Sequence, residues 1–266
     1  MRMLKKLRTQ KDKGKMQMGM FDDILICSDY DNTLTFEDVF SAENIEAIGN
    51  FRKNGGTFVM VTGRGYNGTD CFAPILKADG YLIVNNGTVL YKNDKAIEVI
   101  PLDIPPIDVI NEVFKSKDFI ESFGVYWVEG TTRYYPDDDS FDLEKINMEN
   151  VTKLAFFCDT QEHADILSEK AVEKFGNFCT VMKSLPKNFE ILSKNGGKGI
   201  MVKKLKEMLD KKVLVCLGDY DSDISMLEAA DISFAPSNAT QNVKDVSDHI
   251  VENSQKGILR EVIGML

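Results

Sequence analysis

The chain has 266 residues, 43% of them apolar and 28% charged, an ordinary globular balance with room for one large domain or two smaller ones. Its net charge of −10 argues against a nucleic-acid backbone as partner, and no apolar run is long enough to cross a membrane. Five Cys without a CxxC and only two His, His163 and His249, leave little material for a zinc site or a Ser-His-Asp triad. Reduced thiols in a cytoplasmic protein are the expectation.

Residues 1–20 hold seven Lys or Arg and one Asp, with scarcely any apolar face, and are expected to be a basic mobile leader or to precede a start at Met18 or Met20. Without them the body carries 25 basic and 41 acidic residues. Ile24-Leu25-Ile26-Cys27 reads as a buried strand that runs into Ser28-Asp29-Tyr30-Asp31-Asn32-Thr33. A helix is predicted over 42–54, stopped by Gly55-Gly56, then a strand over 58–62 and a helix near 70–78. A strand over 81–84 leads into Asn85-Asn86-Gly87, a strong turn signal.

There the rhythm changes. Segments 88–91 and 96–100 read as a hairpin around Asn93-Asp94, and Pro105-Pro106 opens a helix to about 117. Strands near 124–128 and 151–157 flank a polar stretch with Asp137-Asp138-Asp139, and a helix over 161–175 and two short strands follow. From Lys198 strand–helix alternation resumes, and Val213-Leu214-Val215-Cys216-Leu217 ends in Gly218-Asp219-Tyr220-Asp221-Ser222-Asp223. The predicted fold class is α/β: a doubly wound, Rossmann-like core over 21–87 plus 187–266, interrupted by an α+β insert over 88–186.

Two strands that each deliver carboxylates to their ends are the chemical signal. A buried strand avoids unpaired charge, whereas the carboxyl ends of strands in an open α/β sheet are where ligands sit. If the two strands are neighbours, their carboxylates converge, and two unit charges 4 Å apart repel by roughly 4 kcal/mol at an effective dielectric of 20. Such a cluster needs a cation, and oxygen ligands without His or Cys favour a hard ion, Mg²⁺ first. Asp29 and Asp31, two residues apart, suit a nucleophile and a proton carrier.

The pattern resembles the haloacid dehalogenase superfamily of phosphohydrolases, in particular its Cof-type sugar-phosphatase branch. Asp29, Asp31 and Thr33 match the family's Asp-x-Asp-x-Thr; Thr62, with Gly63 and Arg64, matches its strand-end Thr; Lys198 matches its helix-opening Lys; and Asp219 and Asp223 match its Gly-Asp motif. The four occur in the family's order between Asp22 and the C-terminus. Ser222 stands where the family usually has Asn, and Gly196-Gly197 replaces a small-polar pair before Lys198.

The resemblance implies a Mg²⁺-dependent phosphatase of small phosphorylated metabolites, sugar phosphates above all, with the insert as a cap. Asp29 would form an aspartyl-phosphate and Asp31 would act as acid and base. Thr62, Gly63 and Lys198 would hold the phosphoryl group. Asp29, Asp219, Asp223 and Asp31, the last through its main-chain carbonyl, would hold the metal. Arg64, Ser222 and Asn238 are candidate substrate or supporting contacts, and Tyr126, Trp127, Arg133 and Tyr134 are candidates for the cap's substrate face. A phosphomutase or phosphotransferase using the same intermediate, and a non-catalytic phosphometabolite-binding regulator, remain alternatives. The oligomeric state is left open.

Overall fold

A computed structural model describes residues 19–37, 39–253 and 256–266. The expected basic leader falls, through residue 18, outside the described residues. β1 (Ile24–Ser28) is followed by a small antiparallel pair, β2 (Thr35–Phe36) and β3 (Val39–Phe40), then α1 (Ala42–Lys53), β4 (Thr57–Val61), β5 (Tyr81–Val84), β6 (Val89–Lys92) and β7 (Lys95–Val99). Next come α2 (Pro106–Val113), β8 (Ile120–Tyr126), β9 (Thr131–Tyr134), β10 (Lys153–Cys158), α3 (Gln161–Phe175), β11 (Cys179–Leu185) and β12 (Asn188–Ser193). The chain closes with α4 (Lys198–Met208), β13 (Val213–Leu217), α5 (Ile224–Ala229), β14 (Ile232–Pro236), α6 (Gln241–Val246), β15 (His249–Val251) and α7 (Leu259–Met265).

Among the described residues the first sheet has eight strands in the order β15-β14-β13-β1-β4-β5-β6-β7. β1 is paired in parallel with β13 on one side and β4 on the other, so it is buried on both faces and reads as continuous apolar sequence. Alternate side chains go to opposite faces. Ile24 and Ile26, with Phe58 and Met60 of β4, pack on Ile48 and Phe51 of α1 and Leu259 of α7. Leu25 and Cys27, with Val59 and Val61, pack on Met201 of α4, Met226 of α5 and Val243 of α6. Helices cover both faces, as a doubly wound sheet requires. Cys27 and Cys216 are register partners on adjacent strands, buried and unlinked, and burial pushes both thiols above the ordinary range.

The second sheet is antiparallel, in the order β11-β12-β10-β8-β9, with its own core that includes Phe123, Phe156 and Phe189 and the buried sides of α2 and α3. Its limits differ from the expected 88–186. The hairpin β6–β7 belongs to the first sheet, because Asn85, Asn86 and Gly87, at φ 53, 55 and 89°, reverse the chain tightly enough to pair β6 with β5. At the other end β12 lies between β11 and β10, so the second sheet runs on through Ser193. The helix expected near 70–78 is replaced by two 3₁₀ turns, Tyr66–Thr69 and Pro74–Lys77. Pro74 lacks an amide proton and holds Ala73 extended at ψ 139°, which breaks any helix there. α2 likewise stops at Val113, short of the expected 117, and a 3₁₀ stretch follows, Phe114–Phe119, broken at Ser116.

Candidate active site

Three adjacent strands end at the site. Asp29 follows β1, Thr62 follows β4, and Gly218-Asp219 follows β13. The chain fills the sheet to one side of β1 before its later strands fill the other, which makes the carboxyl end of β1 the topological switch point. A Cβ on Gly218 would lie 2.4 Å from Asp223 Cβ, so glycine lets the next loop fold back over the strand end. Gly87 does the same for α4, since a Cβ there would lie 2.3 Å from the Gly197 carbonyl.

Lys198, the first residue of α4, is 2% exposed. Its Nζ donates to Asp29 Oδ1 at 2.7 Å and to Asp223 Oδ1 at 2.6 Å. The other oxygen of Asp223 accepts from the amides of Asp219 and Tyr220, at 3.1 and 3.2 Å. Thr33 Oγ1 donates to Asp219 Oδ1 at 2.7 Å, tying the loop after β1 to the loop after β13. Burial pushes the Asp29 carboxyl well above its usual range, while Lys198 pulls it down. Burial, then the Asp223 charge, pushes Asp219 up to about 7 against the Thr33 hydrogen bond. Burial disfavours the Lys198 ammonium, yet Asp223 and Asp29 hold its pKa above the ordinary lysine value.

Asp29, Asp219 and Asp223 are buried, and each offers an oxygen within 4.8 Å of the other two. Three carboxylates against one ammonium leave excess negative charge, and the donors are all oxygen. That set fits a hard divalent cation such as Mg²⁺.

The Asp31 carboxylate lies outside this group of three. It accepts a two-pronged hydrogen bond from Arg64, Nη2 to Oδ1 at 2.6 Å and Nε to Oδ2 at 2.9 Å. Arg64 is held for this by the Gly68 carbonyl and by the rings of Tyr30 and Phe72, 5.7 and 5.8 Å from its guanidinium carbon. Thr62 is fully buried, and its Oγ1 accepts from the Arg64 amide at 3.1 Å. Gly63 and Ser222 lie on the cleft wall. Asn238 donates to the Asn32 carbonyl at 2.9 Å, so it braces the loop after β1 from behind.

A cleft of about 360 Å³ separates these groups from the second sheet, which contributes Tyr126, Phe157, Leu185, Asn188 and Glu190 to the opposite wall. Of the four residues expected on the substrate face, only Tyr126 lines it. Trp127 lines a separate depression with Val128 and Asn147. Arg133 lies over the Phe157 ring at 3.8 Å and donates to Ser122, and Tyr134 stacks on Phe123 at 5.4 Å. Alternation puts Tyr134 on the opposite side of the sheet, whereas Arg133 shares the side of Tyr126 and Phe157 and is drawn to the edge by its contact with the Phe157 ring.

Sequence reasoning named Asn86 only as part of a turn and did not single out Lys153, Glu190 or Asn253. Asn253 Nδ2 lies within hydrogen-bond reach of the Asn32 and Thr35 carbonyls, at 3.0 and 3.1 Å. Lys153 Nζ, fully buried, donates to the Gly63 carbonyl at 2.8 Å and pairs with Glu190 Oε2 at 2.9 Å, while Asn86 Nδ2 donates to the same oxygen. The available signal was a lone charge inside an apolar strand, Lys153 ahead of Leu154-Ala155-Phe156 and Glu190 between Phe189 and Ile191.

A family model described as haloacid dehalogenase-like hydrolase matches residues 26–262. The chain is 28% identical over 236 residues to a protein named phosphoglycolate phosphatase 2 of Saccharolobus solfataricus, covering 87% of each. A haloacid dehalogenase-like hydrolase from B. subtilis superposes with a TM-score of 0.76 at 22% identity, over 91% of this chain and 99% of that one. A sugar phosphatase of HAD subclass IIB superposes with a TM-score of 0.72 at 17% identity, over 91% and 99%. Among the described residues no helix is long and apolar enough to cross a membrane.

Proposed function

The chain belongs to the haloacid dehalogenase-like hydrolases, and on that premise we propose that it hydrolyses phosphomonoesters of small metabolites, sugar phosphates among them, through an aspartyl-phosphate on Asp29. The observation that carries this reading is the Asp29 carboxylate at the switch point of the sheet, 2.7 Å from a buried ammonium and facing a cleft. Two of the similar proteins are named for phosphatase activity, one on phosphoglycolate and one on sugars, and this chain keeps the residue types that such a reaction needs.

Asp29, Asp219 and Asp223 would hold Mg²⁺, with the Asp31 main-chain carbonyl as a further ligand. Bound there, the ion would supply neutralisation between an anionic nucleophile and an anionic phosphate. Asp29 attacks phosphorus as the ester P–O bond breaks, and Asp31 gives its proton to the departing alkoxide. In the second half Asp31 takes a proton from water, whose oxygen attacks the phosphorus and returns Asp29 as carboxylate. Lys198 balances charge on Asp29 throughout, and Thr62 and Gly63 lie beside the place for the phosphoryl oxygens. Arg64 aims the Asp31 carboxylate through both of its oxygens, and one of those two contacts is given up while Asp31 carries the proton. The second sheet covers the leaving group and excludes water, a cap's role. Free, buried Cys27 and Cys216 suit a reducing cytoplasm.

The test is a screen of purified protein over sugar, nucleotide and cofactor phosphates with and without Mg²⁺, run in ¹⁸O-labelled water. Phosphate released with the label supports hydrolysis. Transfer of unlabelled phosphate to a sugar hydroxyl would make the protein a phosphotransferase instead, and no turnover of any phosphate would remove the enzymatic reading.

A further inference from the structure

We propose that Glu190 is a charge filter on the leaving group, so that the cleft takes neutral, hydroxyl-bearing phosphomonoesters and turns away those whose leaving group carries a carboxylate. The inference rests on the phosphatase reading above and names the substrate class of the same site.

The second sheet forms one wall of the cleft. Among the described residues it contributes Tyr126, Phe157, Ser184, Leu185, Asn188 and Glu190, and Glu190 is the one charged side chain of the six. Glu190 is 6% exposed, on β12, and its position is fixed from behind. Oε2 receives both Lys153 Nζ and Asn86 Nδ2. Lys153 is in turn immobilised by the Gly63 carbonyl and by the Tyr126 ring, 4.0 Å from its ammonium. The cation is therefore fully buried behind the carboxylate and off the cleft wall, while Oε1 takes no hydrogen bond among the described residues. The pair turns its negative end toward the cleft.

A second observation points the same way. Asn86, 1% exposed and on the cleft wall, has a buried Oδ1 with no hydrogen-bond partner among the described residues. A buried acceptor without a donor costs stability unless a ligand satisfies it. Two acceptors, one of them charged, ask for donors, which a hydroxyl supplies and a carboxylate does not. A carboxylate held opposite the phosphoryl site would also meet Glu190, while Arg64 is taken by Asp31, Lys198 by Asp29 and Asp223, and Arg133 lies over the Phe157 ring, hydrogen-bonded to Ser122 and not among the residues that line the cleft. Like charges brought together in a partly desolvated cleft repel, and the Lys153 partner behind Glu190 offsets only part of that. This differs from the substrate for which the Saccharolobus solfataricus protein is named, phosphoglycolate, whose leaving group carries a carboxylate.

The experiment uses the full chain and three phosphates of one size: 2-phosphoglycolate, ethylene glycol monophosphate and phosphoethanolamine, whose leaving groups carry −1, 0 and +1 charge. An aryl phosphate serves as the control for the reaction itself. Relative kcat/KM is measured for wild type and Glu190→Gln, and a phosphate that is not turned over is ranked by its inhibition constant against the aryl phosphate. Wild type is expected to favour the ethylene glycol ester over phosphoglycolate by about tenfold or more, and Glu190→Gln to narrow that ratio by about tenfold, with phosphoethanolamine losing ground. If Glu190→Gln does not fold because Lys153 is left unpaired, the ratio is read on Glu190→Gln/Lys153→Met, which removes the ion pair as a unit. Phosphoglycolate as the best of the three, or a ratio indifferent to Glu190, overturns this proposal while leaving the phosphatase reading in place. A wild-type protein inert toward the aryl phosphate and all three esters with Mg²⁺ present overturns the phosphatase reading and this proposal with it.

Discussion

The Lys198 ammonium lies 2.7 Å from Asp29 Oδ1, a contact across 169 residues that joins the start of α4 to the end of β1. The same ammonium is 2.6 Å from Asp223 Oδ1, so one cation holds the proposed nucleophile in register with the acidic loop after β13. Both neighbours are buried, and the contact links local folding, stability and chemistry at one point.

Replacing Asp29 by Asn keeps the side chain's shape and removes its nucleophilic oxygen. Turnover is expected to fall below about 1% of wild type, roughly 2.7 kcal/mol of barrier, with an unchanged circular dichroism spectrum. Freshly purified, deamidation-checked protein that retains more activity than this would remove Asp29 from its assigned role.

Lys198→Ala leaves the Asp29 and Asp223 carboxylates buried without their ammonium. In metal-free protein the expected cost is about 3–5 kcal/mol of unfolding free energy, the range for breaking a buried pair from one side. Denaturant titration in a chelator reads it. Added Mg²⁺ should recover part of the loss, because the cation takes over the compensation of the same carboxylates. A variant as stable as wild type under chelation would show that the three groups do not share charge as described.

Metal and proton compete at Asp219. Its carboxyl is pushed up to about 7, above the usual carboxylate range, so below that pH the group is protonated and must lose a proton to accept a cation. Apparent Mg²⁺ affinity is therefore expected to rise with pH, by up to about tenfold per unit where one proton is displaced, and to level off above about 7. Calorimetry across that window checks the slope, and Asp219→Ala should abolish it along with most of the binding. An affinity independent of pH would contradict the assignment, as would full turnover after exhaustive chelation.

Arg64 and Asp31 are each well exposed, 38% and 46% by side chain. An ion pair at that exposure contributes about 0–1 kcal/mol to stability. Arg64→Ala should therefore barely move the unfolding midpoint but lower kcat by about tenfold or more, since a misaimed acid–base group slows proton transfer. A large fall in stability with unchanged kcat would reverse the interpretation.

Substitutions at the last residue of β8 and at the residue after it separate the cleft from the neighbouring depression. Tyr126→Ala, on the cleft, is expected to change relative kcat/KM among sugar phosphates, with less effect on a minimal aryl phosphate. Trp127→Phe, on the other depression, is expected to leave the substrate ranking in place. Equal responses from the two positions would mean that the cap does not select substrate through this wall.

The sequence alone determined the strand-end acids Asp29, Asp31, Asp219 and Asp223, the helix-opening Lys198 and the doubly wound rhythm around them, because these are local patterns. An apolar run buried on both faces of a parallel sheet is visible as a run, and a carboxylate placed straight after it is visible by its spacing. The helix over 161–175 was legible for the same reason, its pattern lying in neighbouring residues, and the fold adds the Thr160 cap at its start. Only the tertiary structure decided that Arg64 claims the Asp31 carboxylate and that the hairpin β6–β7 joins the core sheet. Nor did the sequence show that Lys153 and Glu190 meet at the cleft from strands 37 residues apart. Each of those outcomes depends on which face of a strand meets which partner across the fold. A charge buried in a strand announces that a partner must exist, because desolvation demands one, but the partner's identity is set by packing between segments distant in the chain.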